Sequence, residues 1–275
     1  MDLRDKVVVV TGASSGIGRQ VALDMAAAGA RVCGAARRTE KLRALTDELG
    51  GGTAGHSFVT TDISDRDQVR ALAAHVEQTY GRCDVLINNA GYSAPADYAH
   101  RGAADVTDAV MRTNFLGAVW CTAELMELLL HSAPSHVVNV ASVAGRLAAF
   151  SPAYTASKFA LVGWSEALHP LLTEKGVYVS SVEPGIIPTE GFPATGLDSH
   201  RLLKLTMGTT EQVSKAIFDA IEDRKVQRVV PRWYYLLQIP RLLTPAIYRF
   251  AQRRIVAPIY RRDQEKARSS GEPRA

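Results

Sequence analysis

The sequence is poor in cysteine: its 275 residues include only Cys33, Cys83 and Cys121. All three lie in apolar stretches, and their spacing matches no metal-ligand pattern, which argues against a metal site. We therefore expect reduced, buried thiols and no bound metal.

Long apolar runs are absent as well. No stretch reaches the roughly 18 continuous apolar residues that a membrane-spanning helix needs, although 47% of the residues are hydrophobic. The first six residues lead directly into a predicted strand, so we expect no signal peptide. Together these features predict a globular, cytoplasmic protein.

Acidic residues are scarce at one end of the chain. Residues 1–223 hold 19 Lys and Arg against 25 Asp and Glu, a net charge of −6, whereas residues 224–275 hold 13 against 3, a net charge of +10. The overall charge of +4 therefore combines a mildly acidic body with a strongly basic tail.

Short β-branched runs alternate with longer helical patterns. The predicted strands are 7–10, 31–36, 56–60, 85–88, 136–141, 177–182 and 226–230. The predicted helices are 17–28, 41–49, 67–80, 104–130, 152–175 and 210–223. This alternation predicts an α/β fold with a doubly wound sheet of seven parallel strands and helices on both faces. No repeat or linker precedes residue 231, so we expect one domain over residues 1–230.

A glycine-rich turn, Thr11-Gly-Ala-Ser-Ser-Gly-Ile-Gly18, follows the first predicted strand. Gly12 permits a tight turn, Gly16 lets the backbone approach a diphosphate, and Gly18 lets the helix pack closely on the strand. The helix start attracts phosphate through its amide groups. The position of this glycine-rich turn after the first strand predicts a Rossmann-like dinucleotide site. We also assign Ser14, Ser15 and Ile17 to that site.

Two arginines, Arg37 and Arg38, follow the second predicted strand. Sites for NAD usually place a carboxylate here to hold the ribose 2′-hydroxyl, whereas arginine suits a 2′-phosphate. Residues 31–38 contain no acid, so we expect NADP(H) in preference to NAD(H). Solvated surface arginines are the alternative interpretation.

Two further motifs follow the third and fourth strands. Asp62 and Ile63 could meet the adenine, with Asp62 accepting from its amino group. Asn88-Asn89-Ala90-Gly91 places small and amide residues at the carboxyl end of the sheet, where open α/β sheets bind ligands. Either motif alone is also compatible with ordinary turn chemistry.

Tyr154 and Lys158 share one face of the helix predicted at 152–175, because residues four apart lie side by side. Ser151 and Pro152 are typical of an N-cap and a first helical residue. Tyr154 then lies in the first turn, where the helix dipole favours a phenolate. Since free tyrosine titrates near ~10, an acid/base tyrosine needs a neighbouring cation.

The motifs occur in a fixed order: Thr11-Gly12-x-x-x-Gly16-Ile17-Gly18, Asn88-Asn89-Ala90-Gly91, Asn114, Ser142, Tyr154-x-x-x-Lys158 and Pro184-Gly185-x-x-x-Thr189. In this order the chain resembles the single-domain branch of the short-chain dehydrogenase/reductase superfamily over about residues 5–230. The resemblance implies an active enzyme, because no catalytic position is missing.

The resemblance also implies a role for each matching position. Tyr154 is expected to be the general acid in carbonyl reduction and the general base in alcohol oxidation, while Ser142 hydrogen-bonds the substrate oxygen. Lys158 is expected to bind the nicotinamide ribose and to lower the pKa of Tyr154. Asn114 is expected to hold a water chain that connects Lys158 to solvent; otherwise it is a satisfied core amide.

The segment from Pro184 to Thr189 is expected to meet the nicotinamide through Pro184, Gly185 and Ile187, with Thr189 near the carboxamide or the diphosphate. A substrate lid is expected at about 190–209. Its apolar residues are Phe192, Leu197, Leu202, Leu203, Leu205 and Met207, and Tyr92, Leu147 and Phe150 are expected near the same cleft. They favour an apolar alcohol or ketone as the substrate.

The C-terminal extension, residues 231–275, combines aromatic residues and leucines with arginines. Residues 231–262 contain seven arginines and no acid. Prolines at 240, 245 and 258 divide this segment into short helical pieces. It is an amphipathic candidate for peripheral membrane contact, or it packs on the domain or a partner subunit. Nucleic-acid binding is disfavoured because no recognised motif is present.

Three functions follow. The first is an NADP(H)-dependent oxidoreductase that interconverts a lipophilic alcohol and its ketone or aldehyde. The alternatives are a 3-oxoacyl-thioester reductase and, from another class, a non-catalytic NADP(H) sensor or scaffold. The resemblance further implies a homodimer or homotetramer formed through the fourth and fifth helices.

Overall fold

The structure, a computed structural model, describes residues 1–148, 151–190 and 207–256. Within these residues, seven parallel strands form one sheet in the order β3-β2-β1-β4-β5-β6-β7. The strands are β1 (Val7–Thr11), β2 (Arg31–Ala36), β3 (Ser57–Thr60), β4 (Val85–Asn88), β5 (Ser135–Val140), β6 (Val177–Pro184) and β7 (Gln227–Val230). This architecture confirms the predicted doubly wound α/β fold.

Helices connect the strands. They are α1 (Gly16–Ala27), α2 (Thr39–Glu48), α3 (Arg66–Tyr80), α4 (Ala103–Met111), α5 (Gly117–Glu124), α6 (Met126–His131), α7 (Pro152–Thr173) and α8 (Thr210–Asp223). The lid residues Phe192, Leu197, Leu202, Leu203 and Leu205, together with Phe150 and the tail beyond residue 256, lie outside the described residues.

The sheet buries both of its faces. Val8 and Val10 of β1 pack in one core cluster with residues of α1 and α8. Val7 and Val9 pack in the other cluster, with residues of α3 and α5. Because successive side chains of a strand point to opposite faces, a strand covered on both sides is apolar at every position.

The strand order reverses between β1 and β4. From β1 the chain winds outward through β2 and β3, and from β4 it winds the other way through β5, β6 and β7. The segments that leave β1 and β4 therefore diverge, which opens a crevice at their carboxyl ends. The glycine-rich turn and the Asn88–Gly91 motif both lie at this crevice.

The prediction of one continuous helix over 104–130 is wrong. A π-helical turn, Arg112–Leu116, separates α4 from α5, and Leu125, with φ −96° and ψ 0°, separates α5 from α6. The wide turn contains Asn114, whose side chain hydrogen-bonds the backbone of Tyr92 on the neighbouring loop. Such turns concentrate at functional positions, and hydrophobic periodicity does not reveal them.

The start of α7 differs from the prediction in one detail. Pro152 is its first residue, as expected. Ser151 precedes it, but its hydroxyl makes no capping bond and instead donates to the Ala94 carbonyl at 2.9 Å. The Ser151 side chain therefore attaches the loop that contains Ala94 to the start of α7.

The C-terminal extension forms short helical pieces on the surface: Arg232–Gln238, α9 (Ile239–Leu243), α10 (Pro245–Ala251) and Gln252–Val256. Pro240 and Pro245 each lie in a first helical turn, where proline costs no hydrogen bond. Tyr234 is buried and packs with Val143 and Val229. No helix in the described part of the chain is long and apolar enough to cross a membrane.

Candidate active site

A cleft of about 370 Å³ lies at the carboxyl ends of the central strands. It brings together most residues that the sequence predicts for the site: Gly12, Ser14, Ser15, Gly16, Ile17, Arg37, Arg38, Asp62, Ile63, Asn89, Ala90, Gly91, Ser142, Tyr154, Lys158, Pro184, Gly185, Ile187 and Thr189. Tyr92 also lines it, whereas Gly18, Asn114 and Leu147 do not. Its size is in the range of small-ligand sites.

The glycine-rich turn requires the glycines it contains. Gly12 has φ +68°, and a Cβ added to it would lie 2.8 Å from Asn89 Nδ2. A Cβ on Gly18 would overlap the Gly12 carbonyl. Because the Ser15 side chain makes no capping bond, the first-turn amides of α1 remain accessible to an anion. The turn therefore fits the diphosphate of a dinucleotide.

Thr11 holds this turn in place, a role that we did not predict. Its Oγ1 accepts from the amides of Asn89 at 3.0 Å and Ala90 at 3.1 Å, and it donates to the Ile87 carbonyl at 3.3 Å. The Asn89 side chain returns a hydrogen bond to the Thr11 carbonyl at 3.0 Å. Thr11 is the only polar residue of β1, which is the one sign of this role in the sequence.

The two arginines after β2 occupy different positions. The Arg38 guanidinium donates to Ser14 Oγ at 3.0 Å and to Ser15 Oγ at 2.5 Å, against the glycine-rich turn. Arg37 is 72% exposed and lies 3.9 Å from Asp62. Both arginines line the cleft, and Arg38 is the one hydrogen-bonded to the serines of the glycine-rich turn.

Asp62 is partly committed to its own turn. Its Oδ1 accepts from the amide of Ser64 at 2.9 Å and from the Ser64 hydroxyl at 2.7 Å. The other carboxylate oxygen faces Arg37. The predicted contact of Asp62 with adenine stays a prediction.

Ser142 and Tyr154 meet in the cleft through a hydrogen bond between their side chains. Ser142 follows β5 and caps a short turn, with its Oγ accepting from the Ala144 amide at 3.1 Å. The Ser142 hydroxyl also lies 3.3 Å from the Pro184 carbonyl, which is long for a hydroxyl donor. The hydroxyl can therefore turn toward a stronger acceptor.

Lys158 is buried beneath Tyr154. Its Nζ donates to the Val140 carbonyl at 2.8 Å and lies 5.7 Å from the centre of the Tyr154 ring. A Cβ on Gly91 would lie 3.4 Å from the ammonium group, so this glycine leaves room beside it. The two helical neighbours thus converge as their spacing predicts.

The pKa shifts of the pair follow from burial. Burial lowers the pKa of Lys158 to about 8. Burial also raises the pKa of Tyr154, and the hydrogen bond from Ser142 only opposes this rise. The expected lowering of the Tyr154 pKa is therefore not produced by the protein groups alone, because a buried phenolate loses its hydration.

Asn114 is held by protein groups on both sides of its amide. Its Oδ1 accepts from the Tyr92 amide at 2.9 Å, and its Nδ2 donates to the Tyr92 carbonyl at 2.9 Å and to Ser157 Oγ at 3.0 Å. This arrangement fixes the loop after Gly91 to α7. The predicted water chain through Asn114 stays a prediction, with one lone pair on Oδ1 left for it.

A buried ion pair, which we did not predict, supports the loop after Ser142. Arg146 Nε lies 2.9 Å from a carboxylate oxygen of the fully buried Glu183. Gln227 donates to the same carboxylate at 3.0 Å, and Glu166 also pairs with Arg146. Burial raises the pKa of Glu183 and the hydrogen bonds from Arg146 oppose it. The network joins the loop to β6 and β7.

Comparison with known proteins gives a single family. The profile of the short chain dehydrogenase family matches residues 6–198. The dehydrogenase/reductase SDR family member 7B of Mus musculus is 34% identical over 239 residues, which cover 81% of this chain and 72% of that protein. The farnesol dehydrogenase of Aedes aegypti is 33% identical over 220 residues, which cover 77% of this chain and 88% of that one.

Solved structures agree with this assignment. A short chain dehydrogenase/reductase from Burkholderia phymatum in complex with NAD superposes with a TM-score of 0.76 at 28% identity, covering 90% of this chain and 95% of that one. The Pseudomonas aeruginosa RhlG/NADP active-site complex gives a TM-score of 0.74 at 26% identity, covering 83% and 96%.

Replacement of Lys158 by methionine should change how stability depends on pH. Charged Lys158 is unfavourable in the native state because its pKa of about 8 lies below the value of about 10.4 in unfolded chains. This penalty is fully present below pH 8 and disappears as the pH rises through 10.4. The wild type should therefore gain about 2 kcal/mol of unfolding free energy relative to K158M between about pH 7 and 9.5.

Urea denaturation at the two pH values measures this gain. Lys215→Met is the matched control because Lys215 is 75% exposed, and its stability should follow that of the wild type. If the K158M and wild-type curves ran parallel across this pH range, Lys158 would not be a buried cation.

Proposed function

Because this chain belongs to the short chain dehydrogenase family, we propose that it is an NADP(H)-dependent oxidoreductase that interconverts a lipophilic alcohol and its ketone or aldehyde. Membership makes it an NAD(P)-dependent oxidoreductase that acts on alcohol and carbonyl groups of small molecules. The proposal rests on one observation: Ser142, Tyr154 and Lys158 meet in a cleft whose other end is formed by the glycine-rich turn and Arg38.

The nicotinamide cofactor supplies or accepts the hydride when it is bound. In reduction, the Tyr154 hydroxyl gives its proton to the carbonyl oxygen, and in oxidation the Tyr154 phenolate takes the proton of the alcohol. The Ser142 hydroxyl donates to the same oxygen and stabilises the charge that develops on it. This requires that the Ser142 hydroxyl turn from the Pro184 carbonyl and from Tyr154 toward the substrate oxygen.

Lys158 stabilises the phenolate form of Tyr154 in this scheme. Its ammonium group lies in a buried environment, where the attraction between opposite charges is stronger than in water. The Val140 carbonyl fixes its position. As the pKa of Lys158 is about 8, the ammonium form is the major one at neutral pH.

Tyr154→Phe tests the acid/base assignment. The variant keeps the ring and removes the hydroxyl, so turnover should fall by at least about 100-fold, as is usual for loss of a general acid or base. Binding of the reduced cofactor, followed by its fluorescence, should persist and would show that the site is still folded.

Tyr80→Phe is the control for loss of a hydroxyl, because the partly buried Tyr80 bonds Ser57 away from the cleft. Its turnover should equal that of the wild type. Normal turnover by Tyr154→Phe on a substrate found by NADPH consumption would remove Tyr154 from the mechanism.

The preference for NADP(H) is supported by Arg38. It presents a guanidinium beside Ser14 and Ser15 at the end of β2, where residues 31–38 offer no carboxylate for a ribose 2′-hydroxyl. Guanidinium groups bind phosphate in a fixed geometry and more strongly than neutral donors do. These donors therefore suit a 2′-phosphate.

Arg38→Ala should discriminate between the two cofactors. The dissociation constant for NADPH should rise by about tenfold or more, which is typical of a lost charge-assisted hydrogen bond, and that for NADH should stay nearly constant. Arg37→Ala should have a smaller effect because Arg37 lies further from the turn. Arg43→Ala, which removes an exposed arginine paired with Glu40, is the control. Equal weakening of NADPH and NADH binding would contradict a 2′-phosphate site at Arg38.

The C-terminal extension lies against the loop that follows Ser142. Arg241 donates to the Arg146 carbonyl, and Gln252 donates to the Ala148 carbonyl at 2.7 Å. The extension therefore covers part of the loop that follows Ser142. A relative of this chain is named farnesol dehydrogenase, which is consistent with an apolar alcohol.

The extension is proposed to contact anionic membranes. It leaves large apolar side chains in solvent: Leu242 and Leu243 are each 76% exposed, and Ile247 and Phe250 are each 62% exposed. Over residues 231–262 its charged side chains are all arginines. A second copy of the same surface would bring like charges together, whereas an anionic lipid surface matches both features.

Sedimentation of the full-length protein with phosphatidylcholine vesicles, with and without phosphatidylserine, tests this contact. The wild type should sediment with the anionic vesicles, less so at high salt because salt screens the arginines. The double variant Leu242→Ser and Leu243→Ser should stay in solution.

Leu171→Ser is the matched control, because Leu171 is an exposed leucine of α7, outside the extension. It should sediment like the wild type. Absence of wild-type sedimentation, or equal loss in the control, would contradict a membrane surface on the extension.

Self-association also belongs to the proposal. The family resemblance implies contacts through 104–130 and 152–175, which correspond to α4–α6 and α7 of the structure. The extension packs beside α7, with Arg241 over the Phe159 ring at 4.5 Å. Any dimer through α7 must therefore accommodate the extension.

A further inference from the structure

An acidic residue, Glu190, pairs with Arg38 at one end of the cleft. Glu190 follows Thr189, and its carboxylate lies 2.5 and 2.7 Å from Lys41 Nζ and 2.8 Å from Arg38 Nη1. The same Arg38 side chain donates to Ser14 and Ser15 through Nη2. We refer to Ser14, Ser15, Arg38 and Lys41 as the Arg38 cluster.

The carboxylate occupies the position that an incoming anion would need. Arg38 and Glu190 are 152 residues apart in the chain, so this is a tertiary contact and not a local pair. Hydrogen bonding from Lys41 lowers the pKa of Glu190, which is ionised at neutral pH. Arg38, Lys41 and Glu190 are each about half exposed, and exposed ion pairs are weak. The contact can therefore be exchanged for a stronger one.

A phosphate and this carboxylate cannot share the Arg38 cluster. A phosphate monoester carries about −1.5 to −2 charges at neutral pH, and Glu190 would repel it from the same guanidinium. Removal of Glu190 from the contact leaves Arg38 and Lys41 without their shared acidic partner. The freed Lys41 ammonium then adds a second cation beside the phosphate.

We propose that Glu190 is a built-in competitor for the 2′-phosphate of NADP(H), and that Lys41 is a further residue of the 2′-phosphate site. This inference rests on the proposed NADP(H) preference. It implies that Glu190 weakens the binding of 2′-phosphorylated nucleotides and leaves nucleotides without that phosphate unaffected. The selectivity of the enzyme then depends on a residue that follows β6 as well as on the arginines that follow β2.

Isothermal titration of the full-length protein with 2′,5′-ADP and with 5′-AMP tests the inference without enzyme turnover. Glu190→Gln keeps the shape and removes the charge, so it should tighten 2′,5′-ADP binding by about three- to tenfold and leave 5′-AMP binding unchanged. Lys41→Met should weaken 2′,5′-ADP binding, both alone and in the Glu190→Gln background. Glu40→Gln, which removes an exposed carboxylate of α2 paired with Arg43, is the control and should match the wild type.

The outcomes separate this inference from the proposed function. If the wild type and Glu190→Gln bind 2′,5′-ADP no more tightly than 5′-AMP, the NADP(H) preference itself is wrong. If that preference holds and Glu190→Gln binds 2′,5′-ADP like the wild type, the competitor role is wrong. Equal tightening of both nucleotides would overturn it too, because Glu190 would then obstruct the cleft without regard to phosphate. An unchanged Lys41→Met in the Glu190→Gln background would remove Lys41 from the site.

Discussion

The proposed chemistry of this protein depends on the ammonium group of Lys158, which is buried beside Tyr154. Within the described residues, no carboxylate lies within ion-pair distance of Lys158, which bonds the Val140 carbonyl instead. A buried cation in this state is unfavourable for folding. This ammonium group also lies 5.7 Å from the centre of the Tyr154 ring, where the proposed mechanism forms a phenolate. The stability lost at Lys158 and the proposed acid/base function of Tyr154 therefore both follow from the burial of one ammonium group.

Buried amides fix the helix that carries both residues. Asn88 Nδ2 donates to Asn139 Oδ1 at 2.9 Å, and Asn139 Nδ2 donates to Ser165 Oγ of α7 at 2.8 Å. Asn114 adds a hydrogen bond to Ser157, which directly precedes Lys158 in α7. These buried hydrogen bonds favour one packing arrangement, since a displaced α7 would leave the amides of Asn139 and Asn114 without their partners on the helix. The sheet thus determines where the ammonium group lies.

Local sequence patterns predicted the strands and turns whose conformation depends on residues close together in the chain. The β-branched runs located β1, β2 and β4 almost to the residue, because strands covered on both faces are apolar throughout. The spacing of Tyr154 and Lys158 and the order of Gly12, Gly16 and Gly18 placed the cleft. The π-helical turn at Asn114, the Arg146–Glu183 pair and the Glu190 contact could not be predicted. Each depends on residues that only the tertiary fold brings together.

The segment from Pro184 to Glu190 connects the two ends of the cleft. The Pro184 carbonyl lies at the Ser142 hydroxyl, and Gly185 leaves the space that the Tyr234 ring of the extension fills. Further along the segment, Thr189 lies against Gly16. A Cβ added to Gly16 would be 3.0 Å from the Thr189 Cβ.

Glu190 then ends the segment at the Arg38 cluster. A cofactor phosphate that displaces Glu190 therefore acts on the same seven residues that border the proton-transfer site and anchor the extension. The proposed site of cofactor recognition at one end of the cleft and the Ser142 hydroxyl at the other are thus linked by one segment of seven residues, 184–190.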